Sequence, residues 1–122
     1  MSEFIFVFGS NLRGKHGKGS AQEAMWSHGA VYGQGVGRQG DSYAIPTKDK
    51  YLQPLTVPEI RIYVDQFLAY AKVHSDLTFK VVKIGTGLAG YTDEEIAPLF
   101  RFRTENVKLH NDWIQLLEEM YT

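Results

Sequence analysis

All twelve glycines fall into three groups, and their placement constrains the fold more than any other feature of the chain. Gly9, Gly14, Gly17 and Gly19 follow the apolar run Phe4-Ile5-Phe6-Val7-Phe8. Gly29, Gly33, Gly35, Gly37 and Gly40 fill the segment after a short helical stretch, and Gly85, Gly87 and Gly90 follow a later run that ends at Ile84. Glycine weakens helix and strand alike, so these groups mark loops where the backbone turns tightly or approaches something closely. No repeat, low-complexity tract or linker divides the chain, and a single domain over residues 1–122 is expected.

Between the glycines the pattern is readable. Phe4 to Phe8 is continuous, aromatic and branched, and too short for an ordinary helix, which predicts a strand covered on both faces. Ser20 to His28 reads as a short helix with Ala21, Ala24, Met25 and His28 on one face. Ser42-Tyr43-Ala44-Ile45 ends at Pro46 and reads as a strand. Thr56-Val57-Pro58-Glu59 carries a capping-box pattern with an early proline. Ile60, Val64, Phe67, Leu68 and Ala71 follow at helical spacing, making this the clearest helix in the sequence. Phe79 to Ile84 is a further strand. Thr92-Asp93-Glu94-Glu95 repeats the capping box and opens a helix through Ile96, Leu99 and Phe100. Val107 to Leu109 gives a last strand, and Asn111 is the expected cap of a terminal helix bearing Trp113, Leu116, Leu117 and Met120.

Strands that alternate with helices imply right-handed crossovers, so the expected class is α/β with a small, mostly parallel or mixed sheet. In open sheets of this kind ligands bind beyond the carboxyl ends of the strands. If the strands Phe4–Phe8 and Phe79–Ile84 are neighbours, their glycine loops face each other across one crevice.

Composition excludes several chemistries. Without cysteine there is no disulfide, thiolate metal site or cysteine nucleophile. The four histidines show no pairing at zinc-ligand spacing, and neither metal nor cofactor is called for. The apolar N-terminus, Ser2 to Phe8, is too short for a signal peptide and lacks its basic flank. No run reaches the roughly 18 residues of a membrane span, so the expected setting is cytoplasmic, with no membrane partner. Thirteen basic residues against fourteen acidic ones leave a net charge of −1. A balance so near zero gives nucleic acid no global field to follow. A homo-oligomer is compatible with the sequence.

Gly85-Thr86-Gly87-Leu88-Ala89-Gly90 fits Gly-x-Gly-x-x-Gly between a strand and a helix, where backbone N–H groups, the Thr86 hydroxyl and the helix dipole can meet phosphate. In the first loop, Gly9-Ser10-Asn11-Leu12-Arg13-Gly14-Lys15-His16-Gly17-Lys18-Gly19, Asn11 has donors and an acceptor for a ribose hydroxyl or a water. Arg13, Lys15 and Lys18 can meet phosphate. Gly9 to His16 is a near miss of the Walker pattern, with His16 in place of the magnesium-binding hydroxyl. Asp41, Lys48, Asp49 and Glu94 are the acid–base candidates, and Asp49 stands at a predicted strand end.

Taken together, Phe6-Val7-Phe8-Gly9-Ser10-Asn11-Leu12 with Gly14, Gly17 and Gly19, Tyr43-Ala44-Ile45-Pro46-Thr47-Lys48-Asp49, and Ile84-Gly85-Thr86-Gly87-Leu88-Ala89-Gly90-Tyr91 with Glu95-Ile96-Ala97 resemble the macro domain superfamily. The resemblance is specifically to a compact macro-like group seen in phages and bacteria. The resemblance implies a three-layer α/β/α sandwich that binds ADP-ribose or a related nucleotide. Gly9, Ser10, Asn11, Gly14, Gly17 and Gly19 would lie in one binding loop and Gly85 to Tyr91 in the other. Some members hydrolyse ADP-ribosyl bonds, and here Asn11 and Asp49 are the catalytic candidates. The Asn-x-x-Asn and Gly-Gly-Gly-Val signatures of many active members are absent, so the resemblance implies binding before hydrolysis. Tyr91, Phe100 or Phe102 is the expected aromatic cover for base or ribose. The competing readings are a non-enzymatic protein of a phage or its host that sequesters a nucleotide signal, and an interaction module for single-stranded nucleic acid or protein. The module would use Arg13, Lys15, Lys18 and Arg38 with Trp26 and Tyr32.

Overall fold

The computed structural model describes residues 3–122. Met1 and Ser2, which the expected domain and the N-terminal apolar run include, lie outside the described residues. In chain order the elements are β1 Ile5–Asn11, α1 Gly19–Ser27, β2 Gly37–Gln39, β3 Ser42–Lys48, α2 Val57–Val73, β4 Phe79–Val81, α3 Asp93–Ile96, a 3₁₀ turn Ala97–Phe100, β5 Val107–Lys108 and α4 Asn111–Tyr121. They form an α/β fold around one five-stranded mixed sheet of order β2-β3-β1-β4-β5. β1 pairs in parallel with β3 and β4, β4 with β5, and β2 runs antiparallel to β3.

Side-chain alternation along β1 divides the core. Ile5 and Val7 join a large cluster with Ile60, Val64, Phe67, Phe100 and Trp113, from α2, the 3₁₀ turn and α4. Phe6 and Phe8 point to the other face, where they meet Ala21 and Ala24 of α1 together with Ala44. The run Phe4–Phe8 is therefore covered on both sides, as its continuous hydrophobicity implies.

α2 forms where the sequence signals it. Thr56 and Glu59 make the reciprocal capping box, Pro58 stands in the first turn, and Ile60, Val64, Phe67 and Ala71 are fully buried. Phe67 meets Tyr43, Phe79 and Phe100 at ring-centroid distances of 5.0, 5.5 and 6.3 Å, so one side chain ties helix, sheet and 3₁₀ turn together.

Several boundaries differ from expectation. α1 begins at Gly19 rather than Ser20 and ends at Ser27. β3 continues through Pro46 to Lys48, because β2 pairs only as far as Ala44 and Pro46 needs no N–H on that side. β4 stops at Val81 instead of Ile84; after the bond from the Val82 N–H to the Val7 carbonyl the chain leaves the ladder. Pro98 removes a helical donor, so α3 ends at Ile96 and the chain tightens into the 3₁₀ turn. The cap of α4 is His110, whose Nδ1 accepts the Asp112 N–H at 3.0 Å; Asn111 is already helical. β2 has no apolar content to announce it and is defined by its pairing with β3. Among the described residues, no helix is long and apolar enough to cross a membrane.

Truncating Phe67 to Ala is expected to cost about 3–5 kcal/mol of unfolding free energy. Met120→Ala, at a half-exposed site, is expected to change stability by no more than about 0.5 kcal/mol. Urea unfolding followed by tryptophan fluorescence checks both, and near-equal losses would contradict this account of the core.

Candidate functional site

β1 and β4 are neighbours whose connections leave in opposite directions. After β1 the chain passes through α1 and β2 to β3 on one side; after β4 it passes through α3 to β5 on the other. That divergence opens a crevice at the carboxyl ends of the two strands, the usual ligand position in such sheets. A cavity of about 450 Å³ occupies it.

Of the expected binding residues, Gly9, Ser10, Asn11, Gly17, Gly19, Gly85, Gly87, Leu88 and Ala89 line this cavity, so both glycine loops do face one space. Gly14, Thr86, Gly90 and Tyr91 do not. Gly14 has φ +74°, and a Cβ there would fall 2.3 Å from the Gly33 carbonyl carbon, so its glycine serves loop packing. The Tyr91 hydroxyl donates to the Leu55 carbonyl. None of the three expected aromatic covers lines the cavity. Phe100 is wholly buried in the core, Phe102 is exposed elsewhere, and Tyr91 packs against the main cluster.

The two catalytic candidates are placed differently. Asn11 is nearly buried, and its side-chain amide closes the first loop on both sides: Oδ1 accepts the Lys15 N–H at 3.0 Å and Nδ2 donates to the Lys15 carbonyl at 2.9 Å. One N–H and one lone pair remain on it. Asp49 lies outside the lining, where its Oδ1 accepts from the Tyr51 and Gln53 N–H groups and fixes a turn. That turn holds Leu52 at φ +64°, an uncommon angle for leucine, and Leu52 lines the cavity beside Lys48, the last residue of β3.

Thr47, Ser20, Ala21 and Lys83 also line the cavity, although no sequence motif marks them as site residues. At the end of the β1–β3 ladder the register slips between Ser10 and Asn11, leaving Thr47 as the extra residue on β3. Its hydroxyl donates to the Ser10 carbonyl at 3.3 Å. Such bulges re-aim side chains beside sites, and no feature of the local sequence announces this one.

The charged side chains of the cavity wall are all basic. Lys15, Lys18, Lys48 and Lys83 line it, and among the described residues no carboxylate, imidazole or thiol does. The Thr86, Gly87, Leu88 and Ala89 N–H groups donate to nothing among the described residues, since the bonds of this loop run instead from Gly90 to the Gly87 carbonyl and from Tyr91 to the Gly85 carbonyl. α1 also presents its uncapped N-terminus here: Lys18 makes no side-chain cap, and no acidic residue stands in the first turn. In α2 and α3 the corresponding N–H groups are taken by capping boxes. Helix N-termini and free loop N–H groups of this kind favour negative charge.

Gly17 and Gly87 carry particular weight. Neither has a backbone angle reserved for glycine, and a Cβ built on either would meet nothing within 4 Å. The fold gives no reason for glycine at these two cavity-lining positions. Gly35 is the contrary case, since a Cβ there would fall 2.1 Å from the Asn11 carbonyl oxygen.

His16 is buried behind the cavity. Its Nε2 lies 2.9 Å from the Gln34 carbonyl and its ring packs edge-on to Phe8. Arg38 donates to the Tyr70 hydroxyl on the α2 side of the sheet, whereas Trp26 belongs to α1 on the opposite face. Arg38 and Trp26 of the expected interaction module therefore lie on opposite faces of the sheet.

Lys83 is held by Asp112 at 2.8 Å and by Asp93 at 3.3 Å, and Asp93 also accepts the Trp113 indole N–H at 2.8 Å. The indole bond first, and the ammonium second, keep the Asp93 carboxyl below its ordinary range. The bond to Asp112 first raises Lys83. No family model matches the chain, and no curated protein or solved structure is detectably similar to it.

A carboxyl lowered in the folded state contributes stability that is whole above its unfolded value of about 4 and is lost as pH falls through the folded one. Asp93→Asn keeps an acceptor for Trp113 but removes the charge. The variant is expected to be less stable at neutral pH and to lose less stability than the native chain on acidification from about pH 6 to about pH 2. Urea midpoints across that range check this, and parallel acid limbs would contradict it.

Proposed function

We propose that this chain binds ADP-ribose or a related phosphate-bearing nucleotide metabolite in the crevice between its two glycine loops, with the three-layer α/β/α arrangement of the macro domains that its motifs resemble. The observation that carries the reading is the pair Gly17 and Gly87. With no demand from the fold, their lack of a side chain is explained by a ligand that lies against the backbone at both positions. The unpaired N–H groups of Thr86 to Ala89 and the open N-terminus of α1 supply donors for a diphosphate, and Lys15, Lys18 and Lys48 supply charge.

Binding without turnover is the form of this function that the residues favour. Hydrolysis of a glycosidic bond needs a group that activates water or protonates the leaving group. Asn11 gives one N–H and one oxygen lone pair of its amide to Lys15, Asp49 holds a turn outside the cavity, and of the acid–base candidates Lys48 alone lines it, where its charge suits phosphate. A binder that sequesters its ligand needs only the donors and cations described.

Calorimetric titration with ADP-ribose, ADP and NAD, with chromatography of the same samples, tests this. ADP-ribose is expected to bind more tightly than ADP and to be recovered unchanged. Gly87→Val is expected to weaken ADP-ribose binding at least tenfold, about 1.4 kcal/mol, with the unfolding midpoint unchanged. Unaltered affinity in the folded variant would remove the assignment, and release of products would replace the binder by a hydrolase.

A further inference from the structure

Among the described residues every position with a positive φ is glycine except Leu52. A Cβ crowds the backbone in that region, so leucine at φ +64° carries strain that glycine or asparagine would largely avoid. The turn gives the angle no freedom to relax. The Asp49 Oδ1 accepts the Tyr51 and Gln53 N–H groups at 2.8 and 3.0 Å. The Asp49 N–H donates to the Gln53 carbonyl at 2.8 Å, and the Leu52 N–H donates to the Asp49 carbonyl at 3.1 Å. Strained residues persist where the surroundings over-determine them, and they gather at ligand clamps.

The core makes no use of this side chain. Leu52 is partly buried, yet it belongs to neither hydrophobic cluster and is not among the partly buried residues packed against them. What it lines is the glycine-loop cavity. Among the described residues no aromatic ring lines that cavity. Of its other large apolar side chains, Ile84 is 1% exposed and lies against Gly9, and Leu88 is 72% exposed on the second glycine loop. Leu52 is therefore the apolar side chain that is both fixed in place and open to the cavity.

The sheet order sets where such a surface stands relative to the phosphate donors. β3 and β4 flank β1, so the turn bearing Leu52 and the loop Thr86 to Ala89 leave the sheet on opposite sides of the carboxyl end of β1. A strand spacing of about 4.8 Å separates β3 from β4 by roughly 10 Å. A nucleotide carries its base and its phosphates at opposite ends of a ribose, so phosphates at Thr86 to Ala89 direct the base toward the β3 side. An aliphatic side chain offers no hydrogen bond, which suits the flat face of a base rather than the hydroxyls of a ribose.

We propose that Leu52 is the surface on which the base of the ligand lies, and that the strained turn 49–53 holds it there in advance of binding. This rests on the nucleotide reading of the cavity and adds to it the residue that meets the base.

The test titrates ADP-ribose, and ribose 5-phosphate as a probe with phosphate but no base, against the native chain, Leu52→Asn, Leu52→Gly and Leu52→Met, with urea unfolding of each. Asparagine tolerates a positive φ, so Leu52→Asn is expected to unfold at a urea midpoint no lower than the native one. Leu52→Asn and Leu52→Gly are both expected to bind ADP-ribose about tenfold more weakly, with the affinity for ribose 5-phosphate unchanged. Leu52→Met keeps an apolar surface and is expected to stay within about threefold of native affinity. Native ADP-ribose affinity in the asparagine and glycine variants, or an equal loss for ribose 5-phosphate, would overturn the proposal and leave the cavity's assignment standing. A lowered midpoint in Leu52→Asn would assign the leucine to the fold and overturn it as well. Absence of ADP-ribose binding by the native chain would remove the nucleotide reading itself, and this proposal with it.

Discussion

The parallel pairing of β1 with both β3 and β4 is the constraint on which the rest of the structure depends. A strand with a neighbour on each edge and a hydrophobic cluster on each face has every backbone and side-chain direction occupied except its carboxyl end. Parallel neighbours also require crossovers, and those leaving β1 and β4 diverge. The cavity lies at that divergence, so site and fold are products of the same topology.

The glycines divide the work. Gly35 lets the backbone pass over the Asn11 carbonyl, and Gly14 lets the first loop press against Gly33. These make the loop walls possible. Gly90 meets no nearby atom but holds φ +85°, a conformation that glycine adopts freely. Gly17 and Gly87 show neither a close contact nor a positive φ, and both line the cavity. One compositional feature therefore has several causes, and only the position of each glycine in space separates them.

That separation explains what the sequence could reveal. β1, α2 and the capping boxes at Thr56 and Thr92 were legible because their signals are local: a hydrophobic run, a 3.6-residue period, a side chain that bonds three residues on. The facing of the two loops depended on whether β1 and β4 are neighbours, which the sheet order decides and the sequence left open. Thr47 at the bulge, Lys83 on the cavity wall and the strand Gly37–Gln39 were not legible, since each is defined by partners distant in the chain. The roles expected of Phe100 and Tyr91 failed for the same reason: an aromatic beside a glycine loop in sequence serves core or cover according to tertiary packing. Asn11 lines the cavity, and its most visible task is to clamp Lys15, which residue type alone does not distinguish from ligand contact.

Amide nuclear magnetic resonance reads individually the free backbone N–H groups that we propose hold a phosphate-bearing nucleotide. In a titration of ¹⁵N-labelled protein with ADP-ribose, the largest shifts are expected at the amides of Thr86 to Ala89 and of Gly17 to Ala21, with the amides of α2 unmoved. Shifts confined to other surfaces, or none at saturating ligand, would contradict that assignment.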